Sequence, residues 1–304
     1  MRICSLLPSA TEIVAGLGLA DELVAISHEC DHPPNIGTKP VVVRSVIETD
    51  RPSREIDAQV RASVAERRGL YRLDDALLRT LDPTLVITQD LCDVCAVTPT
   101  EVQRAMAGLT PAPRLLSLNP SRLDDVFEDI GRIGSATHRE ERATQWVKAL
   151  KSRVQQICRT VAGAPVRRVA CLEWLDPLYS AGHWVPELVA LAGGEDLLGK
   201  PGEKSSVVSW EQVRATAPEV IVLMPCGLSV ERTLLELDRL TSRSGWAALP
   251  AVMQEEVYAV DGPAYFNRPG PRLVDGLELL AALFHPRLFP SRPPGARRIG
   301  SMAV

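Results

Sequence analysis

Residues 136–162 read ATHREERATQWVKALKSRVQQICRTVA. No glycine or proline interrupts the run. Ala143, Trp146, Val147, Leu150, Val154, Ile157, Cys158 and Val161 recur at steps of three and four, the period of a helix with one apolar face. The spacing predicts a single amphipathic helix over 136–162, about 40 Å long at the usual rise per residue. Gly163-Ala164-Pro165 ends it, because proline cannot continue the hydrogen-bond ladder. Few helices in globular domains reach that length. Placed mid-chain, it reads as a rigid spacer with a separate body of structure on each side.

The flanking sequence supports that division. Before the spacer, short apolar runs (Ile3–Leu6, Leu23–Ile26, Leu85–Thr88, Leu115–Leu118) alternate with helical patterns (Thr11–Leu17, Asp74–Leu81, Pro99–Leu109). Such alternation predicts a parallel sheet with helices on its faces. Ser9 and Glu12 stand at capping-box spacing at the head of the first helix, and Gly18 follows its end. After the spacer the alternation resumes: strand Val169–Leu172, helix Val185–Leu191 closed by Gly193-Gly194, helix Trp210–Ala217 and strand Val220–Leu223. Leu81-Asp82-Pro83-Thr84-Leu85-Val86-Ile87 and Ala217-Pro218-Glu219-Val220-Ile221-Val222 share one order: helix end, proline, apolar strand. The predicted fold class is α/β. Two Rossmann-like lobes, residues 1–135 and 163–289, are joined by the backbone helix 136–162, with a ligand cleft between the lobes. Residues 290–304, rich in Pro, Gly and Arg, are expected to be a disordered tail. The stretch Arg44–Arg68 reads as an exposed excursion before Leu70-Tyr71-Arg72-Leu73.

Composition narrows the function classes. The chain has 304 residues, with 34 Lys+Arg against 38 Asp+Glu and a net charge of -4. That balance excludes a generally basic nucleic-acid binder. No apolar run is long enough to span a bilayer, so no membrane insertion is expected. The opening Met1-Arg2-Ile3-Cys4-Ser5-Leu6-Leu7-Pro8 shows no long apolar region and no small-residue cleavage site. A cytoplasmic location is therefore the expectation, or a periplasmic or extracellular one if a leader precedes this sequence. The seven cysteines are Cys4, Cys30, Cys92, Cys95, Cys158, Cys171 and Cys226. The odd number and irregular spacing argue for reduced thiols. Cys4, Cys171 and Cys226 lie in or beside apolar strand-like runs, where a thiol packs as a small apolar group.

In open α/β sheets, ligands bind at the C-terminal ends of the strands. Pro8 and Ser9 start the first helix at such an end. His28-Glu29-Cys30-Asp31-His32 follows the second strand, and Gln89-Asp90-Leu91-Cys92-Asp93-Val94-Cys95 follows a third. Imidazoles and thiolates at this density suit a zinc or iron ion held by His28, Cys30, Cys92 and Cys95, or an axial imidazole for cobalt. A ligand-pocket lining is the leading reading of these loops, ahead of metal coordination and plain loop structure, and a redox role for Cys92 and Cys95 is the weakest alternative. In the second half, Trp174, Tyr179 and Trp184 crowd the loop after a strand, with His183 as a further axial donor. Flat rings suit a planar macrocycle, and they equally suit a core. Tyr265 and Phe266 sit in a Gly/Pro-bracketed loop before the helix Leu273–Phe284, where Arg268 or Arg272 is placed to meet a phosphate or propionate. The runs Arg67-Arg68, His138-Arg139 with Arg142, and Arg167-Arg168 read as solvated faces.

Several of these stretches together resemble the class III solute-binding proteins of ABC importers, receptors with a helical backbone that take cobalamin, haem, iron-siderophore chelates or metal ions. Ser5-Leu6-Leu7-Pro8-Ser9-Ala10-Thr11-Glu12 resembles the family's opening signature. Val24-Ala25-Ile26-Ser27 with Asp31-His32-Pro33-Pro34 resembles its next strand and loop. Leu81-Asp82-Pro83-Thr84-Leu85-Val86-Ile87 is similar to its strand entry, with Thr84 in place of the usual Asp. Tyr179-Ser180-Ala181-Gly182 and Leu191-Ala192-Gly193-Gly194 resemble the start of its second lobe. The similarity runs from about residue 2 to 285, and the cobalamin-binding branch matches best. The resemblance implies a small-molecule metal chelate held between lobes without catalysis, and an ABC permease as partner. It places a permease contact at Glu211. The matching first-lobe position falls near Asp75 or Ala76, and an aromatic expected ahead of Glu211 is replaced near Ser205.

These readings define the expected site. Pro8, Ser9, His28, Glu29, Asp31, His32, Asp90, Trp174, Tyr179, Trp184, Tyr265, Phe266 and Arg272 line a pocket for cobalamin, another corrinoid, haem or an iron-siderophore. The alternative is a cytoplasmic zinc or iron protein built on His28, Cys30, Cys92 and Cys95. An enzyme is the least supported class, since no Gly-x-Ser-x-Gly elbow, phosphate-cradling loop or His-Glu-x-x-His motif occurs.

Overall fold

The two proline-marked strand entries are one backbone device built twice. In the computed structural model, which describes residues 1–66, 68–89, 97, 99–291 and 293–300, Asp82 closes a helix at φ 41°, ψ 62° and Ala217 closes another at φ 44°, ψ 61°. Each left-handed cap stops the helix, and the proline that follows directs the chain into a strand.

The chain forms two units. The first comprises Met1–Arg51, Glu55–Pro120 and Asp124–Val147; the second comprises Pro52–Arg54, Ser121–Leu123 and the chain from Lys148 onward.

The first unit carries β1 (Ile3–Ser5), α1 (Pro8–Gly16), β2 (Leu23–Ser27), β3 (Val41–Ser45), most of α2 (Ser53–Ala65), β4 (Tyr71–Leu73), α3 (Asp75–Leu81), β5 (Leu85–Gln89), α4 (Pro99–Met106), β6 (Arg114–Leu118) and most of α5 (Leu123–Ala136). Its sheet runs β4-β3-β2-β1-β5-β6, parallel except where β4 pairs antiparallel with β3. Asp74 caps α3, its carboxylate accepting from Leu77 N at 2.9 Å. On the sheet, Cys4, Leu6, Ala25, Val42, Val43 and Val86 join Leu78 and Val102 of the helices in one core. Each leucine or valine side chain of that core contributes about 1.5–3 kcal/mol on full burial.

The second unit carries β7 (Arg167–Leu175), β8 (Leu178–Ser180), α7 (Val185–Leu191), β9 (Gly194–Asp196), α8 (Trp210–Thr216), β10 (Val220–Leu223), α9 (Val230–Leu235), α10 (Asp238–Thr241), α11 (Pro250–Met253), β11 (Val257–Val260), α12 (Gly262–Tyr265), α13 (Leu273–Phe284) and β12 (Ala296–Arg298), all preceded by the end of α6 (Glu140–Val161). The sheet order is β12-β11-β10-β7-β8, with β9 also beside β7. β10 lies parallel to β7 (Val220 opposite Val169) as β5 lies parallel to β1 (Leu85 opposite Ile3). The strand entered from a left-handed cap thus flanks the first strand of its sheet in both units.

Four expectations need correction. The predicted helix over 136–162 is shorter: α6 spans 22 residues, about 33 Å. Ala136 ends α5, and His138 at φ 57° lets the Arg139 N–H reach the Gly134 carbonyl at 2.7 Å, a helix stop made without glycine. α6 gives Trp146 to the first unit, over Gly16, and Arg153 to the second, paired with Asp275 and Glu278 at 2.5 and 2.8 Å. The first helix begins at Pro8 with Leu7 as its cap residue and no side-chain cap bond, so Ser9 and Glu12 form no capping box. Arg44–Arg68 is not an excursion: it supplies the end of β3 and all of α2. The tail is ordered where β12 pairs antiparallel with β11 (Arg298 opposite Tyr258), because an uncovered sheet edge leaves backbone groups unpaired.

Candidate functional site

In the first unit, β1, β2 and β5 are adjacent parallel strands, so the segments after them share one sheet edge. Pro8 and Ser9 open α1 there; Pro8 is half-buried and Ser9 buried. The loop after β2 splits its donors between two faces. His28 Nδ1 lies 3.1 Å from the Val43 carbonyl, and its ring stands 6.0 Å from Tyr71. Glu29 Oε1 is 4.0 Å from His28 Nε2. Asp31 and His32 are exposed beyond them. Cys30 points inward instead: it is 6% exposed, with Sγ 3.0 Å from Thr11 Oγ1, whose hydroxyl donates to Ser5 Oγ at 2.8 Å.

That division bears on the metal reading. His28 and Cys30 do not converge, and among the described residues no three His, Cys, Asp or Glu side chains are grouped to hold an ion. The physical reason is the strand-end geometry, which buries the thiol against α1 and leaves the imidazole outside. Asp90, Cys92 and Cys95 lie outside the described residues.

In the second unit, β7, β10 and β11 are parallel, and the segments after them form the corresponding edge. Trp174 and Tyr179 are cross-strand partners in the β7–β8 hairpin. Both are half-buried, and the Trp174 indole N–H donates to the Ser53 carbonyl at 3.2 Å. Trp184 and Phe266 are not at the surface. They are 5% and 1% exposed, and the Trp184 N–H donates to the Phe266 carbonyl at 2.7 Å. Their side chains pack in the core, which corrects the expectation that they line a pocket. His183 stands at φ 53° beside Trp184, ring centroids 5.4 Å apart. Burial, with the charge of Lys204, holds its pKa below the ordinary imidazole value. Tyr265 is half-buried, packed against Gly295 of the chain end. Arg272 is the cap residue of α13.

Two groups escaped the sequence reading. Glu173 and Asp196 lie under the 199–206 loop, where Gly182 makes room for the Ser205 backbone. Burial pushes the Glu173 carboxyl up to about 7, against hydrogen bonds from Ser205 and Gly182 and with the Asp196 charge adding to the rise. Asp196 rises to about 6 by burial, although Leu198 N and Gly199 N donate to it at 3.0 and 3.1 Å.

The second group forms a concavity of about 490 Å³ lined by Asp176 of the β7–β8 turn, Leu235 and Glu236 at the end of α9, and Asp238, Arg239, Ser242 and Arg243 of α10 and beyond. Both Glu236 oxygens accept from Ser53 N at 3.0 Å, and Arg232 lies 3.3 Å away. Asp176 and Arg239 form a looser pair at 3.7 Å. Arg243 stacks 5.9 Å over Trp210 and donates Nε–H to the Arg239 carbonyl at 2.8 Å. Helices of six and four residues give no periodic window, so this stretch offered little to find. Glu211, beside Trp210, is exposed in the first turn of α8, which Ser209 and Gln212 close with a full capping box.

Comparison with known proteins agrees with this architecture. A family model described as periplasmic binding protein matches residues 3–264. An uncharacterized ABC transporter substrate-binding lipoprotein of Bacillus subtilis is 25% identical over 295 residues, 95% of this chain and 81% of its own length. A vitamin B12-binding protein of Vibrio cholerae is 26% identical over 280 residues, 91% of this chain and 86% of its own. Among solved structures, a periplasmic haem-binding protein from Pseudomonas aeruginosa superposes with a TM-score of 0.72 at 19% identity, covering 99% of each chain. These names lend no support to the expected cytoplasmic location. No described helix is long and apolar enough to cross a membrane.

Proposed function

The chain belongs to the periplasmic binding protein family, and on that premise we propose that it is the substrate-binding component of an ABC importer for a metal chelate, with cobalamin or another corrinoid as its ligand. The carrying observation is near full-length similarity to a vitamin B12-binding protein. Within the first unit the edge loops carry the candidate contacts Pro8, His28, Glu29, Asp31 and His32; within the second they carry Trp174, Tyr179, Tyr265 and Arg272. Histidines on an exposed loop suit an axial ligand to cobalt. The protein acts outside the cytoplasm and hands its ligand to a permease, with Glu211 as a contact on the second unit. Its work is binding and release, without bond chemistry.

Haem is the second reading, favoured by the shared fold of a haem-binding structure. A zinc or iron protein on His28, Cys30, Cys92 and Cys95 is a weaker one, because Cys30 hydrogen-bonds Thr11 inside the unit.

Mixing the purified protein with hydroxocobalamin at micromolar concentration tests the proposal. The expected result is a shift of the corrin absorption bands and co-elution of pigment and protein on gel filtration. Free elution of the pigment overturns the corrinoid reading, and retention of haemin in its place transfers the ligand to the porphyrins.

A further inference from the structure

The 490 Å³ concavity of the second unit lies where ligands meet an α/β sheet, beyond the C-terminal end of β7 and beside the helices that follow β10. Its lining mixes signs: three carboxylates, two guanidinium groups and a hydroxyl. This is not an anion site. Glu236 is already engaged by Ser53 N and Arg232. The Ser242 hydroxyl is spent on the Asp238 carbonyl at 2.6 Å, so the groups left toward the opening are Asp176 and Asp238 as acceptors, and Arg239 and Arg243 as donors.

Two features show which of these are available. The Asp176–Arg239 pair is open at 3.7 Å, whereas Arg153 meets its carboxylates at 2.5 and 2.8 Å. Arg243 is held by a main-chain carbonyl and an indole face, and among the described residues no carboxylate pairs with it. Its position is therefore fixed while its outer donors are not consumed by an internal acid.

A primary amide offers one carbonyl acceptor and two N–H donors, and so pairs with an arginine and an aspartate side by side. A carboxylate has acceptors only and would face Asp176 and Asp238 with like charge. The corrin ring is rimmed by acetamide and propionamide arms; the haem rim carries propionates. Building on the corrinoid reading above, we infer that this concavity is a specificity element that grips neutral primary amides on the rim of the ligand and disfavours carboxylates at the same place. Asp176 and Asp238 accept from amide N–H groups, and Arg239 and Arg243 donate to amide carbonyls.

Two corrinoids with the same ring test this: dicyanocobinamide, whose side arms are amides, and dicyanocobyrinic acid, whose arms are carboxylates. Wild-type protein is expected to bind the amide form at least about tenfold tighter by equilibrium titration, since opposed like charges at an interface cost a factor of that size or more. The double variant Asp176→Asn, Asp238→Asn should bind the acid about tenfold tighter than wild type does and close the gap. Its circular dichroism and thermal midpoint serve as the folding control. A second variant, Arg243→Met, removes the guanidinium donors over Trp210 and should weaken the amide ligand. Equal wild-type affinities, or a ratio unmoved in the double variant, overturn the inference and leave the corrinoid reading standing. If wild type binds neither corrinoid, the reading itself fails and the inference falls with it.

Discussion

Trp184→Ala is expected to lower the stability of the protein by about 4 kcal/mol. The indole is 5% exposed and sits at the start of α7. Its removal leaves a cavity and also takes the donor from the Phe266 carbonyl, now served at 2.7 Å. An unpaired buried carbonyl alone costs about 1–3 kcal/mol. Trp184→Phe separates the two losses: it keeps most of the ring and drops the N–H, with an expected cost of about 1–2 kcal/mol. Urea unfolding measures both. A ligand-lining role predicts the opposite pattern, an unchanged midpoint with weakened corrinoid binding, and that pattern would return Trp184 to the site.

The second large effect is a pH dependence that runs against ordinary acid denaturation. Glu173 in the folded protein holds its proton to about 7, against an ordinary value of 4.5. Between those values the native state binds more protons than the unfolded chain, so stability falls as pH rises through the window and stays low above it. Asp196, raised from 3.8 to about 6, acts in the same direction. Glu173→Gln keeps the shape and abolishes the charge. It is expected to stabilise the protein by about 2–3 kcal/mol at pH 8 and to be near neutral at pH 4.5. Thermal midpoints at the two pH values read this directly. A variant that destabilises equally at both would show that the carboxylate is needed as an ion, contrary to its burial.

The sequence carried the α/β class and the doubling clearly, because both rest on local signals. Pro83 and Pro218 follow residues that adopt the same left-handed cap; β5 opens on the apolar run Leu85-Val86-Ile87, β10 is apolar throughout, and both are buried along their length. What failed was local structure set by tertiary context. His138 ends a helix where no glycine or proline warns of it. The 293–300 region has a loop's composition, yet β12 forms because β11 offers an open edge. Legibility at the site was uneven for a related reason. Sequence order places His28, Asp31, Trp174 and Tyr265 at strand ends, which is where they stand. It cannot tell an inward side chain from an outward one within a loop, and so Cys30, Trp184 and Phe266 read like their exposed neighbours. The Asp176–Arg239–Arg243 group was invisible because its members come from a turn, a four-residue helix and the segment after it.

The proposal stands or falls on a corrinoid meeting strand-end loops of this chain. Hydrogen exchange of the protein with and without saturating hydroxocobalamin measures this most directly. Slowed exchange is expected in residues 28–33 of the first unit and in 174–179, 236–243 and 261–268 of the second, with β1, β5 and α13 unchanged. Exchange that is the same in all four loop segments, or protection confined to surfaces at the opposite ends of the strands, would contradict it.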